Sequence, residues 1–473
     1  MLIVDRPRGD RRALAESIPP SADKVLAELG MLTAVQDARF HPWRGNTVWW
    51  GAGEPRVETF PAGVAGYQVD RARFDDLLRD LARASGAEIR QGLVRAVERS
   101  TSAGSDERHD EPSIVAIDAD GATDRILAAF VLDCSGRAGV VARAGLRRAA
   151  TNHTTIALSA VWRATAWPGG DPTHTLVASY GDGWAWSVPI DPFERHVAVM
   201  VDPVRSDLER GVPPREVYLA EVSKARAFTD VLRHATLTDG PWGADASEYD
   251  AQRYAAPGFL LVGDAASSID PLSSFGVKKA LSSGWLAAIV THTVLINPAM
   301  RDEALAFFDR RERDLFAAAR SQSAQFAAAA AEGAARPFWI ARAAVRDDAH
   351  GGSEIDVASL ATDSQVLGAF ADLKRRVTIS LREDPSVGLA RRPIVRGREI
   401  VLDDHLMLAE APNGLRYLRS IDLVALRRMA PAYQDVGDLC EAVERAQPGV
   451  SLPDILGALS FLIARGVLRH GTG

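Results

Sequence analysis

Two textures of apolar and polar positions divide the chain. Up to about residue 150, short apolar runs end in charged residues or glycine and alternate with amphipathic stretches. Leu2-Ile3-Val4-Asp5 reads as a short buried strand ending in an acid. Residues 21–29 predict a helix stopped by Gly30, and residues 47–50 a strand closed by Gly51. A strand over residues 67–71 leads into a helix over 72–84, whose Phe74, Leu77, Leu78 and Leu81 share one face. Residues 86–89 start another strand. The polar stretch 100–112 reads as an exposed hairpin loop. Residues 126–134 read as one buried strand running into Ser135-Gly136-Arg137. From about Thr151, period-two alternation takes over: residues 155–162, 175–180, 184–190 and 196–201 predict strands of one sheet. Residues 214–224 and 225–234 predict helices, and 260–264 returns to the buried, parallel-strand type. Long helices are expected over 277–293 and 302–332, the alanine run in the second reflecting helix propensity. A charged, turn-rich zone at 347–355 marks a boundary. Beyond it, residues 421–429, 436–446 and 452–464 predict three helices, with a strand at 466–468 and a short hairpin.

At 473 residues the chain is long enough for two or three domains. Its net charge of −7 argues against a nucleic-acid partner, which usually meets a basic face. Cys134 and Cys440 form neither a disulfide framework nor a metal cluster, and suit a reducing cytoplasm. Ten scattered histidines leave no metal site expected. No apolar run is expected to reach the roughly 18–20 residues of a membrane helix, and the N-terminus lacks a signal-peptide layout.

The stretch from Phe259 to Gly276 carries the most chemistry. An apolar strand ends in Gly263-Asp264, a loop containing Asp270-Pro271-Leu272-Ser273-Ser274 follows, and a helix begins near Gly276. Glycine lets the backbone pass close to a ligand. The Asp264 carboxylate suits sugar or ribityl hydroxyls, and a helix start offers free N–H groups to an electron-rich ring edge. The stretch therefore reads as a grip for a flavin. Asp5-Arg6, with Glu16-Ser17, is the second clue, because an acid ending the second strand of a dinucleotide fold binds adenosine ribose hydroxyls. The first strand and Gly-x-Gly-x-x-Gly turn of such a fold either belong ahead of Met1, the chain as given starting late, which is the favoured expectation, or have been lost. Taken alone, Leu2–Asp5 also reads as a plain edge strand.

Together these residues resemble the flavoprotein monooxygenases of glutathione-reductase-like fold. The closest branch is the flavin-dependent tryptophan halogenases and their hydroxylase relatives. The signposts, over residues 1–346, are Asp5-Arg6, Glu16-Ser17, Tyr67-x-Val69-Asp70-Arg71-x-x-Phe74-Asp75, Asp133-x-Ser135-Gly136-Arg137, Gly263-Asp264-Ala265-Ala266 and Asp270-Pro271-Leu272-x-Ser274-x-Gly276. The resemblance implies an α/β fold. A Rossmann-like FAD-binding domain (1–150 and 250–295), lacking its first βα unit, carries an inserted, mostly antiparallel substrate sheet (151–249). A helical region (296–370) and a winged-helix-like C-terminal module (371–473) follow. It implies FAD held by Asp5, Arg6, Glu16, Arg71, Gly263, Asp264, Pro271, Ser274 and Gly276, with electrons from NAD(P)H or from reduced flavin supplied by a reductase. For Arg71 the bland alternative is a surface charge at a helix start.

Gly183-Trp184-Ala185-Trp186-Ser187-Val188-Pro189 resembles the halogenases' Trp-x-Trp-x-Ile-Pro signature. Those enzymes also need a tunnel lysine, yet no lysine lies between Lys24 and Lys224. Trp49, Trp50, Trp184 and Trp186 either line a pocket for a flat substrate or pack the core. One of Lys278 and Lys279 would approach the flavin, the other lie on a solvated helix face. His41 is a candidate base or a surface residue; the catalytic base stays unassigned. The expected activity is hydroxylation of an aromatic substrate, a small molecule or a residue of a partner peptide, through a flavin C4a-hydroperoxide. The alternatives are a halogenase and an inactive, flavoprotein-like binding protein.

Overall fold

The structure is a computed structural model that describes residues 1–6, 15–99, 113–119, 122–168, 170–273, 275–333, 336–344, 360–376 and 378–471. The expected loop at 100–112 and boundary zone at 347–355 lie outside the described residues. Two compact units are present: residues 1–295 with 305–348, and residues 296–304 with 349–473.

In the first unit, Leu2–Asp5 pairs in parallel with Glu88–Gln91, from Leu2 opposite Glu88 to Asp5 opposite Gln91. The helix between them, α1 (Arg71–Ala84), starts where the Asp70 side chain accepts the Arg73 N–H. It buries Phe74 against Ile18, Leu26, Val35 and Val69. A second parallel pair joins Val131–Asp133 to Phe259–Leu261. The single strand expected over 126–134 is two strands. Ala122–Ala128 belongs to an antiparallel sheet with Ser113–Ala119 and Leu93–Arg99, and the chain bends at residues 129–130 before Val131. The apolar run misled because Leu127 is 68% exposed.

The large sheet has seven strands, in the order Thr236–Asp245, Ile156–Arg163, Glu194–Val201, Gly183–Pro189, His174–Tyr180, Gly45–Trp49, Arg56–Thr59. All neighbours are antiparallel except His174–Tyr180 beside Gly45–Trp49. The substrate sheet expected from 151–249 thus takes in two strands from residues 45–59. Period-two alternation gives it two apolar faces. Leu158, Ala160, Leu176, Val197 and Val199 pack against Val217, Tyr218, Val222 and Phe228. These come from the helices Pro214–Lys224 and Arg226–Val231, the second helix stopping short of the expected residue 234. Ala157, Trp184, Ala198 and Met200 form a cluster with Ala327, Ala330, Phe338 and Trp339.

Three helices complete this side of the molecule: α2 (Gly276–Ile296), α3 (Arg301–Gly333) and α4 (Pro337–Ala343). By length and composition α2 is long and apolar enough to cross a membrane, which corrects the expectation of no such run. Ser282, Ser283, Thr291 and Thr293 dilute the apolar sequence without shortening the helix. In the structure Leu286, Ala287, Ile289, Val290 and Val294 of α2 are buried.

The second unit has its own core, built on Leu406, Ile421, Leu423, Leu426, Leu439, Val443, Ile455, Leu459 and Phe461. Val436–Ala446 and Leu452–Ala464 are helices with the expected ends, capped by Asp435 and Ser451. The helix expected over 421–429 begins at Leu423, because Ile421–Asp422 pairs with Tyr417–Leu418 and Asp422 caps the helix. The expected hairpin is a three-stranded antiparallel meander, Leu389–Arg396, Glu399–Leu408 and Ala411–Leu415. Leu468–His470 closes against Leu381–Glu383.

Phe74 is 1% exposed and sits where α1 docks. Phe74→Ala should destabilise the protein by about 3–5 kcal/mol with little change in cooperativity, read as the urea-unfolding midpoint and slope.

Candidate functional site

The Gly263-Asp264 turn is built by constraints that only certain residues meet. Val262 continues the parallel ladder, its N–H donating to the Asp133 carbonyl at 3.0 Å. Gly263 has φ +59°, and a Cβ there would stand 3.1 Å from the Ala280 Cβ of α2, so conformation and space both demand glycine. The Ser283 hydroxyl accepts the Gly263 N–H at 3.1 Å. Beneath the turn lies Lys279, only 2% exposed. Its ammonium donates to the Gly263 carbonyl at 3.0 Å and to the Ser267 carbonyl. Tyr249 donates its hydroxyl proton to the Asp264 carbonyl, and the Arg137 and Arg147 guanidiniums lie over the Tyr249 ring. The turn's main chain is therefore held by three side chains, which leaves the half-buried Asp264 carboxylate for other work.

Glu16 and Arg71 come to the same place. Ala15–Ile18 pairs with Gly66–Asp70, and α1 begins at the next residue, Arg71. The Arg71 guanidinium stands 3.8 Å from the Glu16 carboxylate and 3.1 Å from that of Asp75. Loss of water lifts the Glu16 carboxyl to about 7 against the pull of Arg71, with Asp264 and Asp75 pushing it further up. Asp264 acts on both Glu16 and Arg71, so the three charges form one group. Asp5 lies elsewhere: it pairs with Arg79 at 2.9 Å, about 12 Å further along α1 at 1.5 Å per residue. Arg6 is exposed. Pro271 is half-buried and opens a short turn in which Asp270 accepts the Leu272 N–H at 2.9 Å. Ser274 lies outside the described residues. Gly276 is the exposed first residue of α2, and a Cβ there would meet nothing within 4 Å.

Of the two lysines, the buried Lys279 is the one committed to the turn. Lys278 is half-buried, donates to the Ser21 hydroxyl at 2.9 Å and stands over the Phe275 ring. Burial lowers its pKa. His41 is half-buried within a strand rather than on a loop, and burial lowers its pKa as well.

The four tryptophans do not form one patch. Trp184 is 2% exposed, and Trp50 and Trp186 pack half-buried against its cluster with Trp339 and Phe338. Trp50 meets Trp339 edge-on at 5.3 Å and donates to the Phe326 carbonyl. Trp49, one residue earlier, packs on the opposite face with Leu158 and Tyr218. Adjacent strand residues point to opposite faces, which is why the pair separates.

A polar cavity adjoins the Trp184 cluster and was missed in the sequence. It is a small recess, open on one side and with room for about one water molecule, lined by His153, Glu248, Asp270, Arg320, Ser323 and Arg342, with Leu272 as part of its apolar wall. Leu272 also packs against the aromatic cluster. Burial, then the nearby Asp270 charge, lifts Glu248 to about 7, while Arg320, the Asp270 N–H and Arg342 pull it down. Burial, then Arg342, holds His153 down near 4, so its imidazole is neutral at pH 7. Five separate segments supply these residues, and no local spacing marks them.

The group Glu16, Arg71 and Asp264 fits a flavin by its donor set: two carboxylates to accept hydroxyl protons, a guanidinium to donate, and the free N–H groups at the α2 start. Comparison with known proteins agrees. The family model for tryptophan halogenase matches residues 58–350. The tryptophan 2-halogenase of Chondromyces crocatus is 27% identical over 319 residues, 65% of this chain and 59% of that protein. The flavin-dependent halogenase otaD of Aspergillus niger is 30% identical over 252 residues, 50% of this chain and 52% of that one. The chain thus spans between half and three fifths of the length of these two relatives. In fold it is similar to CmlS, a flavin-dependent halogenase, with TM-score 0.74 and 20% identity over 99% of this chain and 91% of that one. It is also similar to the peptidyl tryptophan dihydroxylase QhpG, with TM-score 0.65 and 22% identity over 98% and 93%.

Two outcomes test this site. Asp264→Ala should weaken FAD binding at least about tenfold, or 1.4 kcal/mol, by fluorescence titration; unchanged affinity would misplace the grip. Glu16 binds its proton more tightly folded than unfolded. Its contribution to stability is therefore full below about pH 4.5 and is lost as pH rises through about 7. Glu16→Gln should flatten the fall of the flavin-free protein's melting temperature over that interval.

Proposed function

This chain belongs to the tryptophan halogenase family of FAD-dependent oxidoreductases, and from that premise we propose that it oxidatively substitutes an electron-rich aromatic substrate, by halogenation. The observation that carries the reading is the meeting of Glu16, Arg71 and Asp264 beside the start of α2, from three separate parts of the chain. Both relatives named above by sequence identity are halogenases, which makes halogenation the first reading.

When bound and reduced, FAD supplies the two-electron activation of dioxygen. The chain's residues do the rest. Glu16 and Asp264 accept from cofactor hydroxyls and Arg71 donates. Lys279 and Ser283 fix the main chain that presents Asp264. The apolar cluster of Trp184, Trp339, Phe338 and Leu272 excludes water on the sheet side, which strengthens every charge interaction next to it. Electrons come from NAD(P)H or from reduced flavin delivered by a reductase, and the substrate is a small aromatic molecule or an aromatic residue of a partner peptide.

One observation favours hydroxylation as a second reading. No lysine lies between Lys24 and Lys224, and Lys279 is committed to backbone carbonyls. An experiment separates the two. The FAD-loaded chain, a flavin reductase and NADH are incubated with indoles and phenols, with and without bromide, and products are weighed by mass spectrometry. Bromide-dependent replacement of hydrogen by bromine is expected. Gain of one oxygen regardless of bromide would make the protein a hydroxylase, and tightly bound flavin without oxidised product would overturn both.

A further inference from the structure

Behind the Gly263-Asp264 turn lie two buried charges that the grip itself does not use. Lys279, in the first turn of α2, gives its ammonium to the Gly263 carbonyl at 3.0 Å and to the Ser267 carbonyl. Glu312 on α3 is as deeply buried, each side chain belonging to a residue only 2% exposed. The Glu312 carboxylate accepts the Ser283 hydroxyl proton, and Ser283 accepts the Gly263 N–H at 3.1 Å. Its Oε2 has no hydrogen-bond partner among the described residues. Gly263 is therefore held by a cation at its C=O and, through Ser283, by an anion at its N–H. Neutral groups could make the same hydrogen bonds, and burying a charge is costly. The pair thus points to a use for the charges themselves.

We propose that Lys279 and Glu312 set the reduction potential of the bound flavin with opposite signs, Lys279 raising it and Glu312 lowering it. The inference rests on the flavin-dependent reading above. On reduction the ring takes two electrons and one proton, a hydride equivalent from the reductant, and so gains one negative charge. A cation behind the grip stabilises that charge and an anion destabilises it. Both effects are stronger in the protein interior than in water. The two residues act on the flavin through the field and the turn, so they are positioning residues rather than catalytic ones.

The other charges around the pair have work of their own. Asp264 is the carboxylate of the grip. Asp250, on the strand Tyr249–Ala251, pairs with Arg148 at 2.6 Å and accepts the Tyr254 hydroxyl proton. Burial opposes the charged form of Lys279, while Asp264, Glu312 and Asp250 favour it. Burial likewise opposes the charged form of Glu312, while Lys279, the Ser283 hydroxyl and Arg311 of α3 favour it. Each member of the pair therefore supports the charge of the other.

The test uses the full chain loaded with FAD and reads the potential of the bound flavin by anaerobic titration against reference dyes, from about pH 6 to about pH 9. Lys279→Met should lower the potential by at least about 30 mV, an about tenfold loss of preference for reduced over oxidised flavin in a two-electron couple. Glu312→Gln, which keeps an oxygen for the Ser283 hydroxyl, should raise it by a similar amount at the alkaline end of the range. The double variant should return close to the unchanged protein. A purely structural role weakens the hold on both redox forms together. Potentials left in place, or moved the same way in both variants, would overturn the proposal. If Lys279→Met fails to hold FAD, Glu312→Gln decides alone, and a potential unchanged or lowered overturns the proposal. Failure of the unchanged chain to bind FAD would show at the loading step, before any potential is read, and would sink the flavin reading and this inference with it.

Discussion

A buried ammonium underpins the candidate site. Removing a lysine from water is costly unless its donors are satisfied and its charge is balanced. Lys279 meets both conditions through the carbonyls of Gly263 and Ser267 and the nearby charges of Asp264, Glu312 and Asp250. In return, two successive parts of one turn are tied to the first turn of α2. The strand end, the glycine, the carboxylate and the helix start become one rigid piece. Glu312 of α3 is itself 2% exposed, with Lys279 favouring its charged form, so the same cation also draws α3 against the turn.

The seven-stranded sheet divides the labour between its faces. One face is closed by two helices and serves stability through Tyr218 and Phe228. The other is covered by α3 and α4 through Trp184, Trp339 and Phe338, and it borders the polar cavity. Arg320, Ser323 and Arg342 lie on those covering helices. The elements that keep water from the aromatic face are therefore the ones that carry charge to its rim.

Elements whose signal is local were legible. The helices over residues 71–84, 214–224, 436–446 and 452–464 and the strands around 174–201 follow periodicity and caps. Gly263-Asp264 stood out as a candidate grip because glycine followed by an acid at a strand end has few structural reasons to exist. Glu16 and Arg71 were legible only through resemblance, since nothing near either residue shows that they meet. Three things lay beyond local reading. The run at 126–132 is apolar throughout, so the bend at 129–130 and the exposure of Leu127 leave no trace. The recruitment of residues 45–59 to the sheet depends on pairing with distant partners. The cavity converges from five segments, and its charged members look like ordinary surface residues until α3 and α4 dock.

The parallel pairing of Gly45–Trp49 with His174–Tyr180 has a consequence for how the chain is made. Thr47 and His174, which meet through a side-chain hydrogen bond, are 127 positions apart. At about 5–20 residues per second a ribosome needs roughly 6–25 seconds to bridge that interval. Throughout it, Gly45–Trp49 has only Arg56–Thr59 beside it, and a lone hairpin is marginal in water. A strand carrying Val48 and Trp49 is thus left with one open edge on the nascent chain, a natural client for a holding chaperone until residue 180 emerges.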